Sequence, residues 1–139
     1  MTQQIEIMSH AKSQLILLAH RNWDYAKEIE AGLKKEGTEI SEVVYNAFEA
    51  LGYILLHHPL IALLEHDFSY LSATDIANTI KQKHIRTQIV HILPKHFKGI
   101  IPDGHYFYEN DSIEDIEEYI NLVASKVYKN AIGIENPPK

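Results

Sequence analysis

The sequence predicts an α/β domain built on a parallel β-sheet. Short, continuous apolar runs alternate along the chain with longer segments in which apolar residues recur at helical spacing. Continuous apolar runs of this kind are typical of strands that are buried on both faces, as they are in parallel sheets. The predicted order is strand, helix, strand, helix, strand, helix, strand, strand, helix. This alternation indicates helices on both faces of the sheet.

The first predicted strand is the run 14–19 (QLILLA). Asn22 can cap the helix that follows, and Gly37 is a natural stop because glycine readily adopts the left-handed conformation at a helix end. The apolar positions predicted for this helix are Trp23, Ala26, Ile29 and Leu33.

A weaker strand is predicted at 42–45 (EVVY). Asn46, with Glu49 three residues later, forms a start similar to a capping box for a short helix. The apolar positions predicted for this helix are Phe48, Leu51, Ile54 and Leu55.

The run 60–64 (LIALL) is the second clear buried strand. Ser72 and Asp75 form a capping box for a helix that ends near His84, because each side chain can satisfy a backbone N–H of the other residue. Another strand is predicted at 87–93 (TQIVHIL).

An aromatic strand, 106–108 (YFY), and a long helix complete the predicted domain. Ser112 and Asp115 open this helix. Its apolar positions, which repeat at nearly seven-residue spacing, are Ile113, Ile116, Ile120, Val123 and Val127.

Composition supports a single globular domain without disulfides. The chain has 139 residues, 45% of them hydrophobic, and no cysteine, so it has neither a disulfide framework nor a thiolate site. No apolar run approaches the roughly 20 residues that a membrane helix needs. The N-terminus lacks the basic and apolar regions of a secretory signal, so a cytoplasmic protein is expected. The predicted boundaries are a flexible lead-in at 1–13, the domain at 14–129 and a tail at 130–139.

Charge is distributed unevenly along the chain. The net charge of −6 argues against nucleic acid as a partner, because binding to phosphates requires a basic surface. No acid occurs between Asp75 and Asp103, whereas acidic residues are concentrated at 109–118. Both segments could be solvated faces, or they could orient a protein partner. The basic residues of the acid-free segment are Lys81, Lys83, Arg86, Lys95 and Lys98.

Polar residues follow the predicted strands, at the end of a parallel sheet where ligands usually bind. They are His20, Arg21 and Asn22 after the first strand, Glu65, His66 and Asp67 after LIALL, Pro94, Lys95 and His96 after the next strand, and Glu109 after the aromatic strand.

Three segments share motifs with one family of signalling domains. Residues 47–51 (AFEAL) are similar to G-x-E-A-L, 59–65 (PLIALLE) to P-D-L-V-L-L-D, and 103–110 (DGHYFYEN) to G-A-x-D-Y-L-x-K-P. In this order and spacing, they make 14–129 resemble the receiver domain of bacterial two-component response regulators. Tyr106 falls at the aromatic switch position of that family.

The resemblance implies a flavodoxin-like (CheY-like) three-layer sandwich whose five-stranded parallel sheet has the order 2-1-3-4-5. Only residues 94–105 separate Leu93 from Tyr106, and they include prolines and glycines. This segment is too short for a typical helix with its two connections. The fourth helix of the family is therefore expected to be shortened or lost.

The chain departs from the family at the positions that carry its chemistry. The family phosphorylates an aspartate with the help of a Mg²⁺ ion held by an acidic pair after the first strand. Because a guanidinium repels Mg²⁺ and phosphoryl transfer depends on charge neutralisation, we expect no phosphorylation, no cofactor and no catalytic residue. The altered positions are His20–Arg21, or Arg21–Asn22 after a one-residue slip (acidic pair), Glu65 (phosphoacceptor), Leu93 (hydroxyl) and Glu109 (lysine).

These departures predict a stand-alone, phosphorylation-independent signalling module that binds another protein and is not an enzyme. The partner could be a histidine kinase, another regulator or a second copy of the chain. Glu65 could mimic a phosphoryl group and pair with Arg21, or it could be a solvated glutamate at a strand end. Aromatic residues make good interface anchors. The predicted interaction surface is Tyr106, Tyr108, Glu114, Glu117 and Glu118.

The alternative function is a metal-binding or small catalytic flavodoxin-like domain that uses His20, Glu65, His66 and Asp67. Imidazole and carboxylate groups suit Zn²⁺ or iron, but no helical His-x-x-x-His spacing and no nucleophile elbow supports this hypothesis, and no metal is predicted. Asp67 is also a residual candidate for phosphorylation. His91, inside a strand, is predicted to be a core side chain.

Overall fold

Five strands and four helices form the described part of the chain. The structure is a computed structural model that describes residues 16–68 and 70–131, with only the backbone described at 127–131. The predicted lead-in at 1–13, residues 14 and 15 of the first predicted strand, and residues 132–139 of the predicted tail lie outside these ranges. The strands are β1 (Ile16–Ala19), β2 (Glu42–Val44), β3 (Ile61–Glu65), β4 (Gln88–Leu93) and β5 (His105–Tyr108), and the helices are α1 (Trp23–Lys35), α2 (Ala47–His57), α3 (Ala73–Gln82) and α4 (Ile113–Ala131).

The strands form one parallel sheet in the predicted order β2-β1-β3-β4-β5. Helices α1 and α4 pack on one face of the sheet, and α2 and α3 pack on the other. The predicted three-layer sandwich is therefore confirmed. Because all strands run in the same direction, their carboxyl ends lie at the same end of the sheet.

The alternation of side chains along the central strands produces two separate cores. Leu18 and Leu63 are fully buried on the α1/α4 face, whereas Leu17 and Leu64 are fully buried on the α2/α3 face. Full burial of each such side chain contributes about 2 kcal/mol. This two-sided burial explains why β1 and β3 are continuous apolar runs.

The predicted helix caps are present. The Asn22 side chain accepts a hydrogen bond from the Tyr25 N–H at 3.1 Å, and Asn46 caps α2 in the same way. Ser72 and Asp75 form a reciprocal capping box before α3, with distances of 3.0 and 3.1 Å. These bonds satisfy backbone N–H groups that a helix start leaves without partners, so the sequence located the helix starts correctly.

Three residues that were predicted to lie on the buried apolar faces of helices are exposed, so these three predictions are wrong. Trp23 is 57% exposed, Phe48 is 63% exposed and Leu55 is 36% exposed. Helix α2 instead buries Ala47 and Ala50 against the sheet. Small side chains on this face let the helix approach the strands closely, and the larger neighbouring side chains then point to solvent.

The connection between β4 and β5 is irregular. Residues 94–104, all of which are described, contain no helix, so the predicted loss of the fourth helix is confirmed. The connection starts with a turn in which the Phe97 N–H donates to the Pro94 carbonyl at 3.1 Å. It ends at Gly104, whose φ of 92° favours glycine. No described helix is long and apolar enough to cross a membrane.

Candidate functional site

Three of the predicted site residues meet at the carboxyl end of the sheet. His20 follows β1, Glu65 is the last residue of β3, and Glu109 follows β5. One side-chain nitrogen or oxygen of each lies within 4.8 Å of the others. His20 and Glu65 are buried, and Glu109 is half-buried. The cluster occupies the crevice where open parallel sheets usually bind ligands.

Arg21 covers Glu65 in this crevice. The Arg21 Nη2 donates to Glu65 Oε2 at 2.8 Å, and the Arg21 Nε lies 3.1 Å from both carboxylate oxygens. The Arg21 backbone N–H also donates to Glu65 Oε1 at 2.8 Å. The Arg21 side chain is 49% exposed and that of Glu65 is 9% exposed. The predicted pairing is therefore present, and the alternative of a solvated Glu65 is wrong.

Opposing effects set the pKa of Glu65. Burial alone would raise the pKa of this carboxyl. The hydrogen bonds from the Arg21 side chain and backbone, together with the electrostatic effects of His20 and Arg21, outweigh burial and hold the pKa below its ordinary value of 4.5. The hydrogen bond to Glu65 also raises the pKa of Arg21. Glu65 is thus ionised at neutral pH, and a side chain of the same protein neutralises its charge.

His20 connects Glu109 to this network. The Asn22 N–H donates to His20 Nδ1 at 3.0 Å, which places the proton of a neutral imidazole on Nε2. His20 Nε2 lies 2.8 Å from Glu109 Oε2 and donates to it. The Tyr25 ring packs against the imidazole with 4.6 Å between centroids, and burial raises the pKa of the Tyr25 hydroxyl. Glu109, where the resemblance implies a lysine, is therefore held by a histidine.

A divalent cation at this cluster would compete with existing hydrogen bonds. Both oxygens of Glu65 are bonded to Arg21, and the Nδ1 of His20 is occupied by a backbone N–H. Mg²⁺ prefers carboxylates and water as ligands, and a guanidinium in contact with the carboxylate repels it. Arg21 therefore neutralises Glu65 and occupies the carboxylate that a cation would need.

The four-residue metal set of the alternative function does not form, and that prediction is wrong. Asp67 is exposed in the turn after β3. His66 turns toward β4, where its Nδ1 lies 3.0 Å from the Nδ1 of His91. His91 is buried, as predicted. Among the described residues, the group with metal-ligand spacing is His20, Glu65 and Glu109.

Leu93, where the resemblance implies a hydroxyl, is fully buried. The Leu93 carbonyl accepts a hydrogen bond from the Glu109 N–H at 2.9 Å. Leu93 therefore helps to fix the ends of β4 and β5, and its side chain offers no donor to the crevice.

Comparison with solved structures finds the same architecture in response regulators. The signal receiver domain of a protein described as a Luxo repressor from Vibrio parahaemolyticus matches with a TM-score of 0.76 and 14% identity, covering 89% of this chain and 99% of that chain. A LuxR-family DNA-binding response regulator from Staphylococcus aureus matches with a TM-score of 0.68 and 19% identity, covering 78% and 97%. A response regulator receiver domain protein from Clostridium thermocellum matches with a TM-score of 0.69 and 16% identity, covering 86% and 98%. The chain has the receiver fold. No model of a protein family and no curated protein matches the sequence.

Within this receiver fold, Tyr106 and Tyr108 lie on the sheet face that lacks the fourth helix. Side chains alternate along a strand, and Phe107 packs in the core beneath α1 and α4. The two tyrosines therefore face the side of α2 and α3. Their rings meet edge to face with 5.9 Å between centroids, and both residues are half-buried.

The glutamates of the predicted interaction surface have different environments. Glu114 and Glu118 are exposed on α4, whereas Glu117 is half-buried. The Glu117 Oε2 accepts hydrogen bonds from Thr38 at 3.2 Å and from Asn121 at 2.6 Å. Glu117 thus ties α4 to the segment between α1 and β2. A partner that contacted both the tyrosines and the exposed glutamates would have to wrap around the edge strand β5.

Tyr119 forms a contact that the sequence pattern did not indicate. The Tyr106 N–H donates to Tyr119 Oη at 3.2 Å, and this Oη lies 3.0 Å from His105 Nδ1. Burial and the charge of Lys126 lower the pKa of His105, so Nδ1 of the neutral ring can accept a hydrogen bond from the Tyr119 hydroxyl. The hydroxyl occupies a donor of the edge strand, which limits strand pairing with another chain. Tyr119 lies one residue before Ile120, outside the apolar positions predicted for α4, so the helical periodicity did not predict this contact.

Proposed function

We propose that this chain is a phosphorylation-independent signalling module with the receiver fold, and that it acts by binding another protein. The observation that carries the proposal is the contact between Arg21 and Glu65. In the receiver family, the corresponding crevice holds Mg²⁺ beside an aspartate, as the sequence resemblance implies. Here a guanidinium lies 2.8 Å from a carboxylate oxygen at that position.

The remaining charges in the crevice support this proposal. Phosphoryl transfer needs an acceptor that the phosphorus can approach and positive groups that neutralise the transferred charge. The oxygens of Glu65 face Arg21, and Glu109 adds a negative charge where the resemblance implies a lysine. Leu93 supplies no hydroxyl. The Arg21–Glu65 ion pair thus leaves no free carboxylate at the acceptor-equivalent position, and binding of the partner would carry the signal.

Incubation with acetyl phosphate and Mg²⁺ is expected to leave the mass of the intact chain unchanged, because Arg21 already occupies the acceptor-equivalent carboxylate. Intact-protein mass spectrometry measures the result. A receiver domain with a complete acidic pocket, treated in parallel, is the positive control. A stoichiometric phosphoryl adduct on Glu65 or Asp67 would overturn the proposal.

We propose that the partner binds the face around Tyr106 and Tyr108. These half-buried rings lie beside β4 on the face from which a helix is missing, and aromatic side chains are frequent anchors of interfaces. Glu114 and Glu118 provide acidic groups around the edge of β5. A histidine kinase, another regulator or a second copy of the chain is the partner that the resemblance suggests. The basic segment from Lys81 to Lys98 is the second-choice surface.

Replacing Tyr106 and Tyr108 together with alanine is expected to weaken partner binding at least tenfold, because an aromatic anchor typically contributes about 2 kcal/mol. Sedimentation tests binding to a second copy, and surface plasmon resonance tests a kinase or regulator captured from a lysate of the source organism. Phe48→Ala removes an aromatic side chain that is 63% exposed on α2 and is the matched control. Equal binding by the tyrosine variant and by wild type would contradict the proposed surface.

A further inference from the structure

A groove of about 540 Å³ lies between α3 and the connection that precedes β5. Asn78 and Lys81 form one wall, residues 100–103 form the other, and His66 and His91 lie at the base. A concave site of this volume is typical of sites for small molecules.

The absence of a helix between β4 and β5 creates this groove. Phe97 packs edge-on against His66 with 5.2 Å between ring centroids, which holds the start of the connection against the end of the sheet. Farther along, Ile100 is 90% exposed and Ile101 is 41% exposed. A ligand seated between this wall and α3 would remove apolar surface from water.

The α3 wall presents polar groups that are available to a ligand. Within the described part of the chain, the side chains of Thr74, Asn78 and Lys81 form no hydrogen bond. The hydroxyl, the amide and the ammonium group can all donate hydrogen bonds. Among the described residues that line the groove, Asp103 is the single carboxylate.

The chain segments that form the groove walls carry more basic than acidic residues. Residues 76–102, which include most of α3 and most of the β4–β5 connection, contain no acid and five lysines or arginines, of which Lys81 lines the groove. A surface with one sign of charge raises the local concentration of ions of the opposite sign. The function proposed above uses this basic segment only as a second-choice protein surface.

We propose that the groove binds a small organic anion with a flat apolar ring. The carboxylate or phosphate of the ligand would accept hydrogen bonds from Lys81 and Asn78, and the ring would lie against Ile100 and Ile101. The proposal does not depend on the function proposed above, because the groove residues that the structure describes are distinct from the network of Arg21, Glu65 and Glu109.

Amide-resolved NMR titration with four probes tests the proposal. AMP and benzoate each combine a ring with an anionic group, adenosine provides a ring alone, and inorganic phosphate provides an anion alone. We expect AMP or benzoate to shift the amides of 77–81 and 100–103 saturably below about 10 mM. Adenosine and phosphate should bind about tenfold more weakly, because each lacks half of the contacts. A further titration with phenyl phosphate, which shares the ring of benzoate, identifies phosphate or carboxylate as the preferred group.

Matched variants locate the binding site. Asn78→Asp places a negative charge in the groove, and Lys81→Gln removes the cation, so each is expected to weaken binding about tenfold. Lys83→Gln, at an exposed neighbouring lysine, should bind as wild type does. Arg86→Gln alters a second groove that also includes Lys81, and it should leave binding unchanged.

Three results would overturn the proposal: no saturable shift with AMP or benzoate at about 10 mM, binding that survives Asn78→Asp, or binding that is lost in Arg86→Gln. The last result would place the anion in the second groove. Phosphorylation of the chain by acetyl phosphate would overturn the proposed function and leave this titration unaffected, so the two failures are distinguishable.

Discussion

Replacing Arg21 with alanine is expected to destabilise the domain by about 2 kcal/mol at neutral pH. The variant leaves Glu65, which is 7% exposed, as a buried carboxylate without its guanidinium. The expected loss is smaller than for a completely buried ion pair, because the Arg21 side chain is 49% exposed and water can replace part of the contact. Urea unfolding of wild type and variant measures the difference in the free energy of unfolding.

Two further variants make this measurement specific. Lys27→Ala removes an exposed ion pair with Glu30 at 3.5 Å, and it should change stability little. Adding Glu65→Gln to Arg21→Ala should recover part of the loss, because a neutral amide costs less to bury than a carboxylate. If Arg21→Ala unfolds at the same urea concentration as wild type, the ion pair does not contribute to the stability of the domain.

The effect of Arg21→Ala also depends on pH. The pKa of Glu65 is lower in the folded chain than its ordinary value of 4.5, so the pairing adds stability above that pH. This contribution is lost as the pH falls below about 4.5 and the carboxyl takes up a proton. The difference in the free energy of unfolding between wild type and Arg21→Ala should therefore become smaller at acidic pH.

Titration of His91 is expected to lower the stability of the domain by roughly 3 kcal/mol as the pH falls from 6.5 to 4. Burial, and secondly the charge of His66, lower the pKa of His91 from 6.5 to about 4. The unfolded chain then takes up a proton at a higher pH than the folded chain does. The loss therefore begins below pH 6.5 and is complete near pH 4, mostly above the range in which Glu65 titrates.

His91→Gln should remove most of this pH dependence, because glutamine does not titrate. Denaturant unfolding at several pH values measures, for each protein, the slope of the free energy of unfolding against pH. His96→Gln, at an exposed histidine of the β4–β5 connection, should keep the wild-type slope. Equal slopes for wild type and His91→Gln would show that His91 does not titrate as its burial implies.

Local patterns in the sequence were sufficient to predict most of the fold. The runs that became β1 and β3 are apolar at consecutive positions because both faces of these strands are buried. Asn22 and Ser72 marked helix starts because their side chains bond N–H groups only three residues away. The spacing between Leu93 and Tyr106 was too short for a helix, and the connection has none.

Contacts between distant residues were harder to predict. The bond from His20 to Glu109 joins residues 89 positions apart, and the bond between His66 and His91 joins residues 25 positions apart. No local sequence pattern marks either pair. The sequence therefore predicted that His66 lies near His20, whereas it contacts His91 of β4. The exposure of Trp23 and Phe48 was missed for a related reason, because helical spacing does not show which part of an apolar stripe faces the sheet.

We propose that Arg21 takes the place of the receiver family's cation in the crevice, and NMR titration with Mg²⁺ and beryllofluoride tests this proposal most directly. Arg21→Asp, which exchanges the guanidinium for a carboxylate, is the matched variant in which Mg²⁺ should perturb the crevice. For the wild-type chain, we predict no saturable shift of the amides of 20–22, 65 and 109 up to about 10 mM Mg²⁺ with beryllofluoride present. Saturable shifts of those amides at millimolar concentrations or below would contradict the account.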